Sequence, residues 1–262
     1  IEEKDASSHF GPLSLWLINT VKRCQAVGEH SDAVVYHSRF KYEDRRKIRD
    51  EVVTLFRQKK EDGRVIATQV AEMSLDISAC NLITECCPPA SFVQRLGRVN
   101  RLDIPTEVAN VYVYLPTMDH GLPYSSKGND DFREDYTRWM KFISTLVGRN
   151  ISKDDLDVDF QRFYRDPINQ ERDVAVHTSR LRTFRRNVRY GSVTAQCVLK
   201  SDLQEDPSMS SGELQRKSVP AILSSEERRG EVYNHHFVID DTSDEWSYNQ
   251  KLGLICTRQL TT

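Results

Sequence analysis

The chain of 262 residues reads as an α/β protein. The expected architecture is a parallel sheet with helices on both faces, then a linker helix and a small α+β C-terminal domain. Three observations predict it. Short, continuously apolar runs of strand length alternate with helical stretches as far as Leu115. Such runs mark parallel strands buried on both faces. From Thr117 the alternation gives way to loop chemistry and one long amphipathic stretch, and strand-like runs return near the end around polar sequence. These changes divide the chain at 1–118, 119–165 and 166–262.

Each element has a local reason. Leu13 to Ile18 is an apolar run of strand length, and Asn19-Thr20 offers a cap to a helix over Val21 to Val27. Ala33 to His37 is a second buried strand. Tyr42 to Lys60 is a charged helix with Ile48, Val52 and Leu55 as its apolar stripe, closed by Asp62-Gly63. Arg64 to Thr68 and Asn81 to Glu85 are further strands, and Ala109 to Leu115 completes the set. Between the last two, Pro88-Pro89 precedes a helix predicted to run through Arg101. Its Phe92, Leu96 and Val99 face a core, while Gln94, Arg98 and Arg101 project from another face. Two guanidiniums and an amide at that spacing suit an anion with several oxygens, such as a triphosphate. Arg95 points elsewhere and is expected to form an internal ion pair.

In the later part, Phe132, Tyr136, Trp139, Ile143 and Leu146 share one helical face, a stripe expected to pack on both domains. Asp154 to Phe163 reads as another helix. Val193 to Leu199 and Val232 to Ile239 read as strands around a polar insert, Lys200 to Lys217, expected to be mobile.

Bulk properties narrow the function classes. Hydrophobic residues make up 38% of the chain and charged residues 29%, with ten Phe and ten Tyr, enough for real cores. The net charge of -2 gives no global pull toward nucleic acid, so any such site must be a local patch. No apolar run reaches membrane-span length and no signal peptide is visible, so no membrane partner and a cytoplasmic location are expected. The six cysteines lack zinc spacing and read as reduced, mostly buried thiols. The chain opens on Ile1 without Met and reads as part of something longer.

In parallel sheets ligands gather at the carboxyl ends of the strands. Asn19-Thr20, His37-Ser38-Arg39, Thr68-Gln69 and the turn before Phe92 all fall there. Thr20 opens a helix, whose free N–H groups and hydroxyl make a ready phosphate site. Ser38, Arg39 and Thr68 can grip successive phosphates of one strand. His37 reads equally as a hydrogen-bonded core histidine or as a DNA contact. The stretch Arg180 to Tyr190 is the strongest basic patch and interleaves aromatics. Its Arg182, Arg185 and Arg186 suit single-strand binding without sequence preference.

Three motifs carry a resemblance. His37-Ser38-Arg39-Phe40, Val65 to Ile77 and Gln94 to Arg101 resemble motifs IV, V and VI of the second RecA-like domain of a superfamily 2 helicase. The wording His-Ser-Arg-Phe followed by Asp44-Arg45, then Ala-Thr-Gln-Val with Ser-Leu-Asp, is similar to the CRISPR-associated helicase-nuclease of type I systems. Tyr248 and Leu252-Gly253-Leu254 resemble that family's C-terminal region more loosely.

The resemblance implies an ATP-dependent helicase with a RecA-like sheet. Arg98 and Arg101 would be the cations reaching the γ-phosphate, with Arg101 as arginine finger, and Gln94 would contact that phosphate or the attacking water. Asp76 would accept from the ribose hydroxyls, Ser74 would allow close backbone approach to the nucleotide, and Glu72 would order the loop. ATP would bind with Mg2+, whose ligands would sit in a first RecA-like domain upstream. Nuclease metal ions would be held by an N-terminal nuclease domain and not by these residues. Expected partners are single-stranded DNA, an RNA-guided CRISPR surveillance complex, and the upstream nuclease and first RecA-like domains. The C-terminal domain would cover the single-stranded DNA channel. No Gly-x-x-x-x-Gly-Lys-Ser/Thr loop, magnesium motif or His-Asp nuclease motif occurs in the sequence. These residues alone should therefore neither hydrolyse ATP nor cut DNA. The alternatives are another superfamily 2 DNA or RNA helicase, or a non-hydrolysing nucleic-acid-binding module that kept the fold.

Overall fold

The computed structural model describes residues 1–59, 63–101, 108–115, 130–165, 194–223, 227 and 230–257. Two compact units account for the chain, one of residues 1–122 with 192–262 and one of residues 123–191.

The first unit is built on a five-stranded parallel sheet. Its strands are β1 (Ser14–Leu17), β2 (Val34–Tyr36), β3 (Arg64–Ala67), β4 (Asn81–Glu85) and β5 (Asn110–Tyr114), in the order β2-β3-β1-β4-β5. β1 pairs with β3 on one side and β4 on the other, with Trp16 opposite both Ile66 and Ile83. Both faces are apolar, as the runs required. Leu15, Leu17, Val65, Ala67 and Leu82 face Val52 and Phe56 of α2 (Tyr42–Arg57) and Ala71 of α3 (Val70–Ser74). Trp16, Ile18, Val35, Ile66 and Ile83 face Cys24 of α1 (Val21–Glu29), Ala6 of the 3-10 helix Glu3–His9, and Leu252. Alternate residues of one strand thus serve two cores, and α1 and α2 cover opposite faces. Cys24, Cys86, Cys87 and Cys197 are buried free thiols.

Local chemistry sets the helix ends. Thr20 caps α1, its Oγ1 accepting from the Arg23 amide at 3.4 Å. Pro89 occupies the first turn of α4 (Pro89–Leu96), where a missing N–H costs nothing.

One expectation needs correcting here. The motif VI helix does not run to Arg101; it ends at Leu96, with Gly97 as its C-cap. Val99 is drawn instead into a parallel bridge with Ala79, fixed by the Ala79 amide on the Arg98 carbonyl (2.8 Å) and the Asn100 amide on the Ala79 carbonyl (3.1 Å). Gln94, Arg98 and Arg101 therefore do not share a helix face. Gln94 is on the helix; the two arginines are on the turn after it.

The same unit holds a four-stranded mixed sheet, β7-β6-β9-β8, from β6 (Thr194–Leu199), β7 (Val219–Ile222), β8 (Val232–Tyr233) and β9 (His236–Ile239). Asn234 and His235 both have positive φ, as the tight turn between β8 and β9 demands. A hairpin, β10 (Trp246–Asn249) and β11 (Gly253–Cys256), packs Trp246 and Leu254 against Cys197, Leu199 and Ile239. The polar insert is not the mobile segment expected. It forms helices Lys200–Glu205 and Ser211–Lys217, and Met209 and Leu214 are buried against Val198. A capping box between Ser210 and Glu213 starts the second helix.

The second unit contains α5 (Asp130–Leu146) and α6 (Lys153–Arg165). Within it, Trp139 stacks on Phe142 at 5.3 Å and meets Phe160 and Phe163 of α6. The side chains of Phe132 and Tyr136, and the whole of the Arg182, Arg185 and Arg186 patch, lie outside the described residues.

Candidate functional site at the strand ends

The carboxyl ends of β1, β3 and β4 converge on a buried polar network. Arg95, on α4, is fully buried. Its Nε donates to Glu72 Oε1 at 2.9 Å, its Nη1 to Thr84 Oγ1 (2.6 Å) and the Glu85 carbonyl (2.9 Å), and its Nη2 to Asn19 Oδ1 (2.7 Å). Asn19 in turn donates through Nδ2 to the Cys86 carbonyl and accepts at its own carbonyl from Gln69 Nε2 (2.6 Å). Beside it, Arg23 grips Glu85 through Nε and Nη2 at 2.8 and 2.6 Å, and the Asn19 amide adds a third donor to that carboxylate. All three nitrogens of one guanidinium and two carboxylates find partners, so the strand ends are pinned to motif V and α4.

Arg95 is thus the internal ion pair expected. Its partner, Glu72, expected among the nucleotide-side residues to order the loop, has its carboxylate turned inward and buried against Arg95. Burial, partly opposed by the Arg95 charge, pushes the Cys87 thiol up to about 12, so it stays a neutral packing group.

The outer rim differs. Arg98 donates through Nη1 to the Leu75 carbonyl and through Nη2 to the Glu72 carbonyl, so motif VI holds the backbone of motif V. Its buried Nε has no partner among the described residues. Burial and the nearby Arg101 both hold the Arg98 guanidinium below its ordinary range. Arg101 is half exposed and pairs with Asp76 at 2.8 Å, where Asp76 is 70% exposed. The Arg101 amide is steadied by Ser78 Oγ at 2.9 Å. Gln94 is exposed on α4. The structure brings Arg98, Arg101 and Asp76 together; the Ser74 side chain lies outside the described residues.

A second group lies at the end of β2. His37 is fully buried, stacks on Phe40 at 4.5 Å, and accepts the Arg39 amide on Nδ1 at 3.1 Å. Burial, then Arg39, pushes its imidazole down to about 3. Of its two readings, the core histidine is what the structure shows. Ser38 and Arg39 are half-buried on the turn that follows. No carboxylate pairs with Arg39 among the described residues, and burial holds its guanidinium below the ordinary range. Thr20 uses its oxygen as a cap but keeps its O–H to donate. Thr68 is buried at the end of β3, its amide on the Tyr36 carbonyl.

Several residues escaped the sequence reading. Glu85 carried a sign, a carboxylate closing an apolar strand, which implies a buried partner. Gln69 and Asn19 stood at strand ends but were assigned no role. Gln25, in the middle of α1, gave no sign at all.

Comparison with known proteins places the chain beside a known fold. Residues 11–104 match the family model described as CRISPR-associated nuclease/helicase Cas3, C-terminal. A protein of Myxococcus xanthus named as a CRISPR-associated nuclease/helicase Cas3 is 38% identical over 136 residues, which are 50% of this chain and 18% of that protein. The crystal structure of T. fusca Cas3 with ATP superposes over 97% of this chain and 39% of its own, with TM-score 0.65 and 16% identity. A chain from a pre-nicking CRISPR RNA-guided surveillance complex matches over 93% of this chain and 40% of its own, with TM-score 0.57 and 16% identity. The chain therefore spans well under half of each of these relatives.

Proposed function

We propose that this chain is the C-terminal half of an ATP-dependent single-stranded-DNA translocase whose nuclease lies elsewhere in the full protein, acting in type I CRISPR antiviral defence. The observation that carries this reading is a division among the arginines. Arg95 is sequestered in four hydrogen bonds and Arg98 holds two backbone carbonyls, while Arg101 and Arg39 keep donors on the rim where a parallel sheet gathers its ligands.

In this reading ATP enters between this sheet and a first RecA-like domain that supplies the phosphate loop and the magnesium ligands. Arg101 is the finger. It is the more exposed of the two arginines after α4, and its present partner is a solvent-exposed carboxylate that costs little to leave. Arg101 then stabilises charge on the transferring phosphoryl group. Asp76, once released, accepts from the ribose, and Gln94 meets the γ-phosphate or its attacking water. Glu72 acts one step back, by holding Arg95 and the motif V backbone. Arg98 joins motif V to motif VI, so a change at the nucleotide is felt on the strand-end side. There Thr20, Ser38, Arg39 and Thr68 hold successive phosphates without reading sequence, and Arg182, Arg185 and Arg186 extend the track. The division at 118 and 165 is part of this proposal, as are recruitment by an RNA-guided surveillance complex and a cytoplasmic location. No helix among the described residues is long and apolar enough to cross a membrane.

The test is ATP hydrolysis by the intact protein, with and without single-stranded DNA, beside Arg101→Ala. Hydrolysis stimulated by the DNA and lost in the variant supports the motor. Equal stimulation by single-stranded RNA would move the assignment to another superfamily 2 helicase, and absence of hydrolysis under every condition would leave a binding module.

A further inference from the structure

The turn that carries Arg39 is held from the far end of the chain. The Leu254 amide donates to the Arg39 carbonyl at 2.7 Å, and the Lys41 amide donates to Tyr248 Oη at 3.1 Å. The Tyr248 hydroxyl donates to Asp44 Oδ2 at 2.5 Å, and the Lys41 ammonium lies 4.7 Å over its ring. Gln25 Nε2 donates to the carbonyls of both Leu252 (2.7 Å) and Leu254 (2.9 Å), bracketing Gly253. Gly253 has φ +67, and a Cβ there would lie 2.3 Å from the Arg39 carbonyl oxygen and 3.1 Å from His37 Cε1. Only glycine lets the hairpin approach this closely. With the Arg39 amide already on His37, the backbone polar groups at residues 39 and 41 are held on both sides, and the guanidinium is the group left over.

We propose that the β10–β11 hairpin is a clamp whose Gly253, Leu254 and Gln25 position Arg39 for a backbone phosphate of single-stranded DNA. It rests on the reading above, in which Arg39 is a DNA contact. A guanidinium on a turn free to move would lose its geometry and the contact with it, whereas one held at residues 39 and 41 presents its donors to a phosphate without further ordering cost. Gly253, Leu254 and Gln25 are positioning residues; none of them touches DNA in this scheme.

The experiment is a salt titration of binding to a fluorescent oligothymidylate by the intact protein, comparing wild type with Arg39→Ala, Gly253→Ala, Gln25→Met and Gln25→Met/Arg39→Ala. Loss of one phosphate contact lowers the slope of log K against log salt by about 0.7 for a single strand. Arg39→Ala should show that loss. Gly253→Ala and Gln25→Met should each reproduce it, and the double variant should bind no more weakly than Arg39→Ala alone. Loss of general stability would lower the melting temperature without moving the slope. Wild-type slopes in both clamp variants beside a reduced slope in Arg39→Ala would overturn the clamp and leave the DNA contact standing. A wild-type slope in Arg39→Ala would remove the contact and the clamp together. Should Gly253→Ala fail to fold, Gln25→Met, which keeps the volume of α1 and removes two donors, decides the matter.

Discussion

Arg95 is fully buried and meets Glu72, Thr84, Asn19 and a carbonyl, whereas Arg39 is half-buried and meets no carboxylate among the described residues. Taking a guanidinium out of water is costly in both places. At the strand ends the cost is offset within the fold, so the charge serves architecture. On the turn after β2 no carboxylate among the described residues offsets it, and in the proposed scheme a DNA phosphate would complete the shell. The difference is a physical criterion for function: a cation already saturated cannot bind, and one held in place with its donors free can.

That contrast can be broken by substitution. The largest expected effect is on the rim, where Arg101→Ala should slow DNA-stimulated ATP hydrolysis in the intact protein by about 10³–10⁵, with an almost unchanged melting temperature. A rate within tenfold of wild type would take the finger away from Arg101. In the interior the effect reverses: Arg95→Met strands the Glu72 carboxylate and should cost about 3–5 kcal/mol of stability, read by denaturant unfolding. A loss below about 1 kcal/mol would mean the network is not shared as drawn.

His37 sharpens the comparison through pH. Its imidazole is pushed down to about 3 in the fold from an ordinary value of 6.5, so the unfolded chain takes up the proton first. The His37 contribution to stability is therefore full above about pH 6.5 and is lost as the pH falls toward 3, at about 1.4 kcal/mol per pH unit. His37→Gln should remove one proton's worth of that slope; an unaltered slope would show an imidazole that titrates freely in the fold. Smaller still, Tyr248→Phe gives up the hydrogen bonds to Asp44 and Lys41 for about 1–2 kcal/mol. Smallest is Asp76→Ala: the exposed pair with Arg101 is worth under about 1 kcal/mol to the fold, so stability should hardly change while nucleotide affinity falls.

Much of this was legible in the sequence, and the exceptions have physical causes. β1 to β4 announced themselves because each serves two cores and so carries a run of apolar residues, as Leu15 to Ile18 illustrates. The stretches resembling motifs IV, V and VI stood out because each sets polar and charged residue types at short, fixed spacing beside an apolar run. The end of α4 was misread because Phe92, Leu96 and Val99 keep helical spacing while a partner from elsewhere, Ala79, takes Val99 into a bridge. The insert at 200–217 looked mobile because most of it is polar; only Met209 and Leu214 bury, and the Ser210–Glu213 capping box was the overlooked sign. Gln25 was invisible because its partners are two backbone carbonyls of the last hairpin, and no side-chain pattern encodes those. Gln94, Arg98 and Arg101 were legible as a group by spacing alone, whereas the pairing of Arg101 with Asp76 comes from the turn after α4, which no helical spacing encodes.

The contacts of Gln25 with the last hairpin reach across 229 positions of sequence. On a ribosome adding 5–20 residues each second, the grip turn therefore waits roughly 10–50 s between leaving the exit tunnel and meeting its clamp. For that interval the nascent sheet can assemble around β1 to β4 while Arg39 stays unfixed. Under the clamp proposal, a product cut short before Gly253 would carry the motif IV, V and VI stretches and still leave the Arg39 carbonyl without the Leu254 amide.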